Sequence, residues 1–228
     1  MRIFYWVTLL VLPLTAGFFP QTVHTSVTAV SPDKVTLAHP FPVSGMSGVV
    51  IHHYGESLNA VTGYIMQPDN SPTAHMLGKG VIHHEQLPTI KTPITKGDKV
   101  IGGYLYNNVL LLAPDAESYH TITTQYARTW FHPDLFAAFL SREGEGVPTK
   151  ENLEAFAKEY QVGLICIVQK DRSVLYDPIS HRVVASKPFH YTPQKVQYPF
   201  FMRFDSIQTG LFSETGDGNY YKTMEQFK

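Results

Sequence analysis

The stretch Lys96–Pro114, KGDKVIGGYLYNNVLLLAP, constrains the fold more than any other part of the chain. It reads as one β-hairpin. Lys96-Gly97-Asp98 makes a tight turn into a strand, Lys99–Tyr106. Asn107-Asn108 tolerates the left-handed dihedrals that a two-residue hairpin turn requires. Val109–Ala113 is an apolar return strand. Pro114 has no N–H to continue a ladder and stops it. The segment also divides an all-β first half from a mixed second half.

Before it, no segment holds a 3.6-residue apolar period for long. The pattern predicts strands at Val23–Val30, Lys34–Ala38, Ser47–His53, Asn59–Ile65, Gly80–His84, Lys99–Tyr106 and Val109–Ala113. Turn clusters separate them: Ser31-Pro32-Asp33, Tyr54-Gly55-Glu56, Pro68-Asp69-Asn70-Ser71-Pro72 and Lys96-Gly97-Asp98. Short strands at this spacing suit a small barrel or sandwich.

After Pro114 the character changes. Asp115 is a good N-cap for a helix over Ala116–Arg128. Pro133 starts a second helix, Asp134–Arg142, whose apolar face is Leu135, Phe136, Phe139 and Leu140, and Gly144 and Gly146 end it. Thr149 caps a third, Lys150–Tyr160, with Leu153, Phe156 and Ala157 on its buried side. Gly163–Gln169 is apolar at its centre and predicts a central strand. Ser173–Tyr176 and Arg182–Ser186 continue it as an antiparallel meander, and Val196–Phe204 is a candidate further strand. The fold class expected is α+β. A β-rich subdomain (18–114), a small barrel or sandwich, precedes helices packed on an antiparallel β-meander (115–212). A loose C-terminal tail follows at 213–228.

Residues 1–17 read as a secretory signal peptide. Arg2 supplies the positive end, Ile3–Leu14 is the apolar stretch, and Thr15-Ala16-Gly17 offers small residues for cleavage. The run is shorter than the roughly 20 residues a spanning helix needs. The expectation is an exported protein of the periplasm or cell surface, with no transmembrane helix after cleavage. Of the 18 Lys and Arg, Arg2 lies in this segment, which leaves 17 against 19 acidic side chains. Such a balance gives no basic face for nucleic acid and no polybasic patch for a membrane. Cys166 is the single cysteine, so no intramolecular disulfide exists; within Val162–Val168 it reads as a buried small hydrophobe.

Catalytic patterns are missing. Ser44-Gly45-Met46-Ser47-Gly48 lacks the spacing of a nucleophile elbow. Gly97 with Gly102-Gly103 has no helix directly after it, as a dinucleotide fingerprint needs. Asp217-Gly218-Asn219 lacks the remaining ligands of a calcium loop. The eleven histidines include His52-His53 and His83-His84, both in expected strands. Each pair puts one imidazole on either face, and paired strands would bring two of them, with Glu85, to one place. A metal site there is weighed against a simple half-exposed sheet. Glu143, Glu145, Glu151, Glu154 and Glu159 read as solvated helix charge, with Glu154 and Lys158 at i,i+4 spacing. No catalytic, cofactor-binding or metal residue is assigned and no cofactor is expected. Lys228, the last residue, presents an ammonium and a carboxylate. That zwitterion is the ligand type that lysine-binding kringle modules recognise, by an anionic and a cationic centre flanking an aromatic trough.

Several pieces occur together, in order, from Val35 to Phe212: Ser44–Val50, Lys96-Gly97-Asp98 with Asn107-Asn108 and Leu112-Ala113-Pro114, Tyr119, the Leu135–Leu140 helix, Val162–Val168, and Pro199–Arg203 with Gly210. Their order and separation resemble the N-terminal domain family of bacterial plasminogen-binding proteins of the PgbA type. The resemblance implies a non-enzymatic envelope protein with plasminogen kringle modules as partner and Lys228 as the binding residue. In that family, binding is associated with a Lys/Glu-rich extension and a terminal lysine; these 228 residues hold no such extension. A second reading is a periplasmic structural or assembly module of an envelope or flagellar machine, with other envelope proteins as partners.

Overall fold

Two sheets share the chain, and the change from one to the other falls inside the segment read above as a hairpin. The computed structural model describes residues 17–55, 58–78, 92–193, 195–210 and 216–228. Residues 1–16 of the expected leader and the strand expected at Gly80–His84 lie outside them. β1 (Val23–Val30), β2 (Lys34–Leu37), β3 (Ser47–Tyr54), β4 (Leu58–Met66), β5 (Thr73–Leu77) and β6 (Lys99–Gly102) close into a barrel in the order β1-β2-β5-β4-β3-β6. All neighbours are antiparallel, and β6 closes the ring by pairing with both β1 and β3. The barrel form of the expected β-rich subdomain is therefore the one adopted. β5 was not foreseen; it is short and starts directly after Pro72.

Gly48 and Gly102 face each other across β3 and β6. The Phe41 ring lies over both, so a Cβ at Gly102 would come within 2.5 Å of that ring and one at Gly48 within 2.8 Å. The absence of side chains at this pair lets a buried aromatic ring lie flat on the barrel wall.

The hairpin expectation is corrected. β6 ends at Gly102, and a turn over 103–107 follows in which Gly103 and Leu105 have φ of 65° and 62°. β7 (Asn108–Leu112) then joins a second sheet, where it pairs in parallel with β8 (Thr129–Phe131) and with β9 (Leu164–Val168). The reason lies in its side chains. Val109, Leu110, Leu111 and Leu112 are all fully buried. A strand apolar on both faces needs cover on both, which a parallel centre supplies and a small barrel wall does not.

β10 (Arg172–Asp177) and β11 (Arg182–Pro188) complete the sheet in the order β11-β10-β9-β7-β8. The expected antiparallel meander is present as β9-β10-β11, and β9 is the middle strand, but β7 and β8 make the sheet mixed. Alternate residues divide the core. Val109, Leu111, Leu164, Cys166 and Leu175 pack toward the barrel with Ile122 of α1 (Ala116–Gln125). Leu110, Leu112, Ile165, Ile167 and Tyr176 pack against α2 (Pro133–Glu143) and α3 (Lys150–Tyr160). The result is three layers: barrel with α1, sheet, helices.

Helix ends follow local chemistry. Asp115 accepts from Ser118 N, as its N-cap role requires. α1 stops at Gln125, short of Arg128, and the chain turns into β8. The Thr123 and Thr124 hydroxyls in its last turn bond back to the Tyr119 and His120 carbonyls, a competition that weakens helices. Thr149 and Asn152 form a reciprocal capping box for α3. Gly144 ends α2 at φ 76°. The candidate strand Val196–Phe204 does not form. Gln197 N and Phe201 N instead each donate, at 2.7 Å, to the Pro114 and Ala113 carbonyls.

Candidate functional site: the anchored C-terminal segment

Lys228 stands at the end of a segment that is docked rather than loose, which corrects the tail expected at 213–228 for its described part, 216–228. Gly216 and Gly218 take φ of 65° and 75°, turning the chain into α4 (Tyr220–Met224). Asn219 caps that helix by accepting from Lys222 N. Tyr220, Met224 and Phe227 recur at i, i+4 and i+7 and are all buried. This apolar stripe is the sequence signal that points to the docking.

The contacts are specific. The Tyr220 hydroxyl lies 2.9 Å from the Leu112 carbonyl and 2.7 Å from that of Val168, so its one proton serves the last carbonyls of both β7 and β9. Burial raises its pKa well above the ordinary tyrosine value. The Gln169 side-chain amide donates to the carbonyls of Met224 (3.1 Å) and Phe227 (3.2 Å). The Phe227 ring meets Tyr176 edge-on at 5.2 Å, and Gln226 Nε2 donates to the Pro148 carbonyl at 2.9 Å. Phe227 is thus held by side chain and main chain together. Lys228, the next residue, is exposed.

The histidine reading separates. His52 Nδ1 lies 2.7 Å from Asp98 Oδ1, and Asp98 also accepts from Thr95 N at 2.8 Å. His53 Nδ1 contacts Asn59 Oδ1 at 2.8 Å on the other face. Each imidazole is paired locally. His83, His84 and Glu85 lie outside the described residues. Among the described residues no three His, Cys, Asp or Glu side chains are grouped to hold a metal ion. Cys166 is fully buried and burial pushes its thiol well up, which makes it unreactive. The expected Glu154–Lys158 pair forms at 2.5 Å, and His181 Nε2 joins Glu154 at 2.8 Å. Burial would raise the Glu154 pKa, but these two partners hold it below the ordinary value.

One organising residue was missed. Asp177, which reads in sequence as a turn residue before Pro178, is fully buried. It accepts from Ser47 N (2.8 Å), Tyr106 Oη (2.6 Å), Ile179 N (2.9 Å) and Ser180 N (3.1 Å). It therefore ties the first residue of β3 and the 103–107 turn to the second sheet. No sequence pattern marks it, because its partners are up to 130 residues away. A small cleft of about 60 Å³ lies beside this clamp, between Tyr64, Tyr104 and the Lys158–Gln161 end of α3.

Comparison with known proteins agrees with this geometry in extent. The family model described as "Plasminogen-binding protein pgbA N-terminal" matches residues 22–227. Barrel, sheet and the α4 anchor up to Phe227 all lie inside that match. The plasminogen-binding proteins PgbA of Helicobacter pylori strains J99 and 26695 are each 27% identical over 172 residues. Those residues cover 73% of this chain but only 38% and 37% of the relatives, so the chain spans well under half of their length. No solved structure matches. Among the described residues no helix is long and apolar enough to cross a membrane. With nearly its whole length matched, the chain belongs to the family of plasminogen-binding protein pgbA N-terminal domains.

Proposed function

We propose that this is an exported, non-enzymatic envelope protein that binds plasminogen through a lysine-recognising kringle module. Lys228 is the residue that makes the contact. The proposal takes Lys228 as the terminal residue, where ammonium and α-carboxylate stand one side-chain length apart. The observation that carries it is the Phe227 anchor: an exposed lysine directly after a clamped, fully buried residue. A kringle can then engage the zwitterion without unfolding the domain, and little ordering cost is added on binding. The relatives' name supplies the partner. The leader at residues 1–17 would direct export and then be cleaved, with periplasm or surface as the destination.

The experiment is direct. Carboxypeptidase removal of Lys228, or a chain ending at Phe227, should abolish plasminogen capture while leaving the melting temperature unchanged. 6-Aminohexanoate, with an amine and a carboxylate at its two ends, should compete with the intact protein. Undiminished binding after removal would refute the role of Lys228. The second reading, an envelope assembly module, draws on a cluster of half-exposed rings. Tyr119, His132 and Phe201 lie 5.1–5.9 Å apart beside the exposed Arg203. Pull-down from envelope extracts that returns stable envelope proteins and no plasminogen favours it.

A further inference from the structure

A cavity of about 190 Å³ opens on the barrel side of the second sheet, between the C-terminal turn of α1 and the strands β10 and β11. It lies across the sheet from α4 and Lys228, so it is independent of the plasminogen reading. Its apolar walls are the rings of Phe18, Tyr126 and Phe189. Phe18 and Tyr126 stand 5.7 Å apart, centroid to centroid.

Two features make it more than a gap between rings. Ser173 lines it and is only 4% exposed, and the Ser173 hydroxyl has no hydrogen-bond partner among the described residues. A buried hydroxyl left unpaired costs about 1–3 kcal/mol, so a partner in the cavity would be favoured. The charge around it has one sign. Lys187 supplies it, with the His190 imidazole beside it, and among the described residues no Asp or Glu lines the cavity. The nearby acids Asp115 and Glu117 are engaged elsewhere, with the Tyr191 hydroxyl 3.2 and 2.8 Å from them. The Lys187 ammonium donates to Tyr126 Oη at 3.0 Å, which leaves two of its three N–H groups free.

We propose that this cavity binds a small aromatic carboxylate. The ring packs against Phe18, Tyr126 and Phe189, one carboxylate oxygen meets Lys187, and the hydroxyl of Ser173, the cross-strand neighbour of Lys187, donates to the other oxygen. The size agrees: a cavity of about 150 Å³ holds benzene, so 190 Å³ admits one ring and its carboxylate.

Benzoate is the probe. The purified protein, labelled on isoleucine methyls, is titrated while the Ile122 signal is followed by NMR, because Ile122 lines the cavity. Benzyl alcohol and benzylamine share the ring and change the charge. A saturable Ile122 shift is expected, with benzoate binding about fivefold or more tighter than benzyl alcohol and benzylamine weakest. Lys187→Gln should remove the preference for benzoate; Lys187 is exposed, so the fold tolerates the change. Ser173→Ala should weaken benzoate about two- to tenfold, the value of one hydrogen bond. No saturable shift would mean a cavity holding water only, and equal binding of the three probes would remove the carboxylate; either result overturns the proposal. So does unchanged benzoate affinity in Ser173→Ala.

Discussion

Replacing Asp177 by alanine tests the joint between barrel and sheet. The substitution removes one acceptor from four donors. Ile179 and Ser180 are half-buried, and their N–H groups can turn to water. Ser47 and Tyr106 are 6% and 2% exposed and cannot. Each orphaned buried donor costs about 1–3 kcal/mol, so Asp177→Ala should cost about 4 kcal/mol. In a domain of this size that corresponds to a fall in melting temperature of about 8–16 °C. Urea unfolding followed by circular dichroism, with a thermal melt as the second measurement, reads the loss. Adding Tyr106→Phe removes one of the orphans, so the double variant should recover about 1–3 kcal/mol relative to Asp177→Ala. A loss below about 1 kcal/mol, or a double variant that loses the sum of its two single changes, would refute the clamp.

Other consequences follow from the same geometry. Phe227→Ala should cost about 3–5 kcal/mol of docking, seen as faster amide hydrogen exchange over 216–228 than in the central strands; uniform exchange would deny the anchor. Gly163→Ala places a Cβ 2.2 Å from the Leu105 carbonyl group and should sharply lower soluble expression. Gly97 has φ 97° but no atom within 4 Å of an added Cβ, so Gly97→Ala should cost about 1–2 kcal/mol; equal effects of the two would contradict the close approach. His132 is held below its ordinary pKa, first by burial and also by the Arg203 charge, against the opposing pull of Asp134. A depressed histidine contributes stability that is present above about pH 6.5, the unfolded value, and lost as pH falls through its folded pKa. Stability should therefore decline as pH drops below about 6.5, and less so in His132→Gln. An NMR titration placing His132 at or above its ordinary value would reverse that sign.

Local chemistry was legible where one residue acts on its neighbours. Thr149 caps α3, Gly144 ends α2, and the barrel strands lie between clusters of Pro, Asp, Asn and Gly. The candidate site was only half legible. Lys228 is visible as a lysine, but its presentation depends on Tyr220, Met224 and Phe227 finding carbonyls and rings that belong to distant strands. The short α4 carries two positive-φ glycines just before it, and those glycines read as loop.

The segment Lys96–Pro114 marks the boundary between the two kinds of information. The turn residues Lys96-Gly97-Asp98 determined where β6 begins, because backbone dihedrals are set by the residue itself and its neighbours. They could not determine which strand β7 joins. That choice was made by Leu110 and Leu112, which needed helices on one face while Val109 and Leu111 needed the barrel on the other. The sequence alone determined most barrel strands, the first three helices, the β9-β10-β11 meander and a lysine at 228, but not β5, β8 or α4. Only the tertiary structure decided the pairing, the Asp177 clamp and the anchor under Lys228, because each depends on burying groups far apart in the chain.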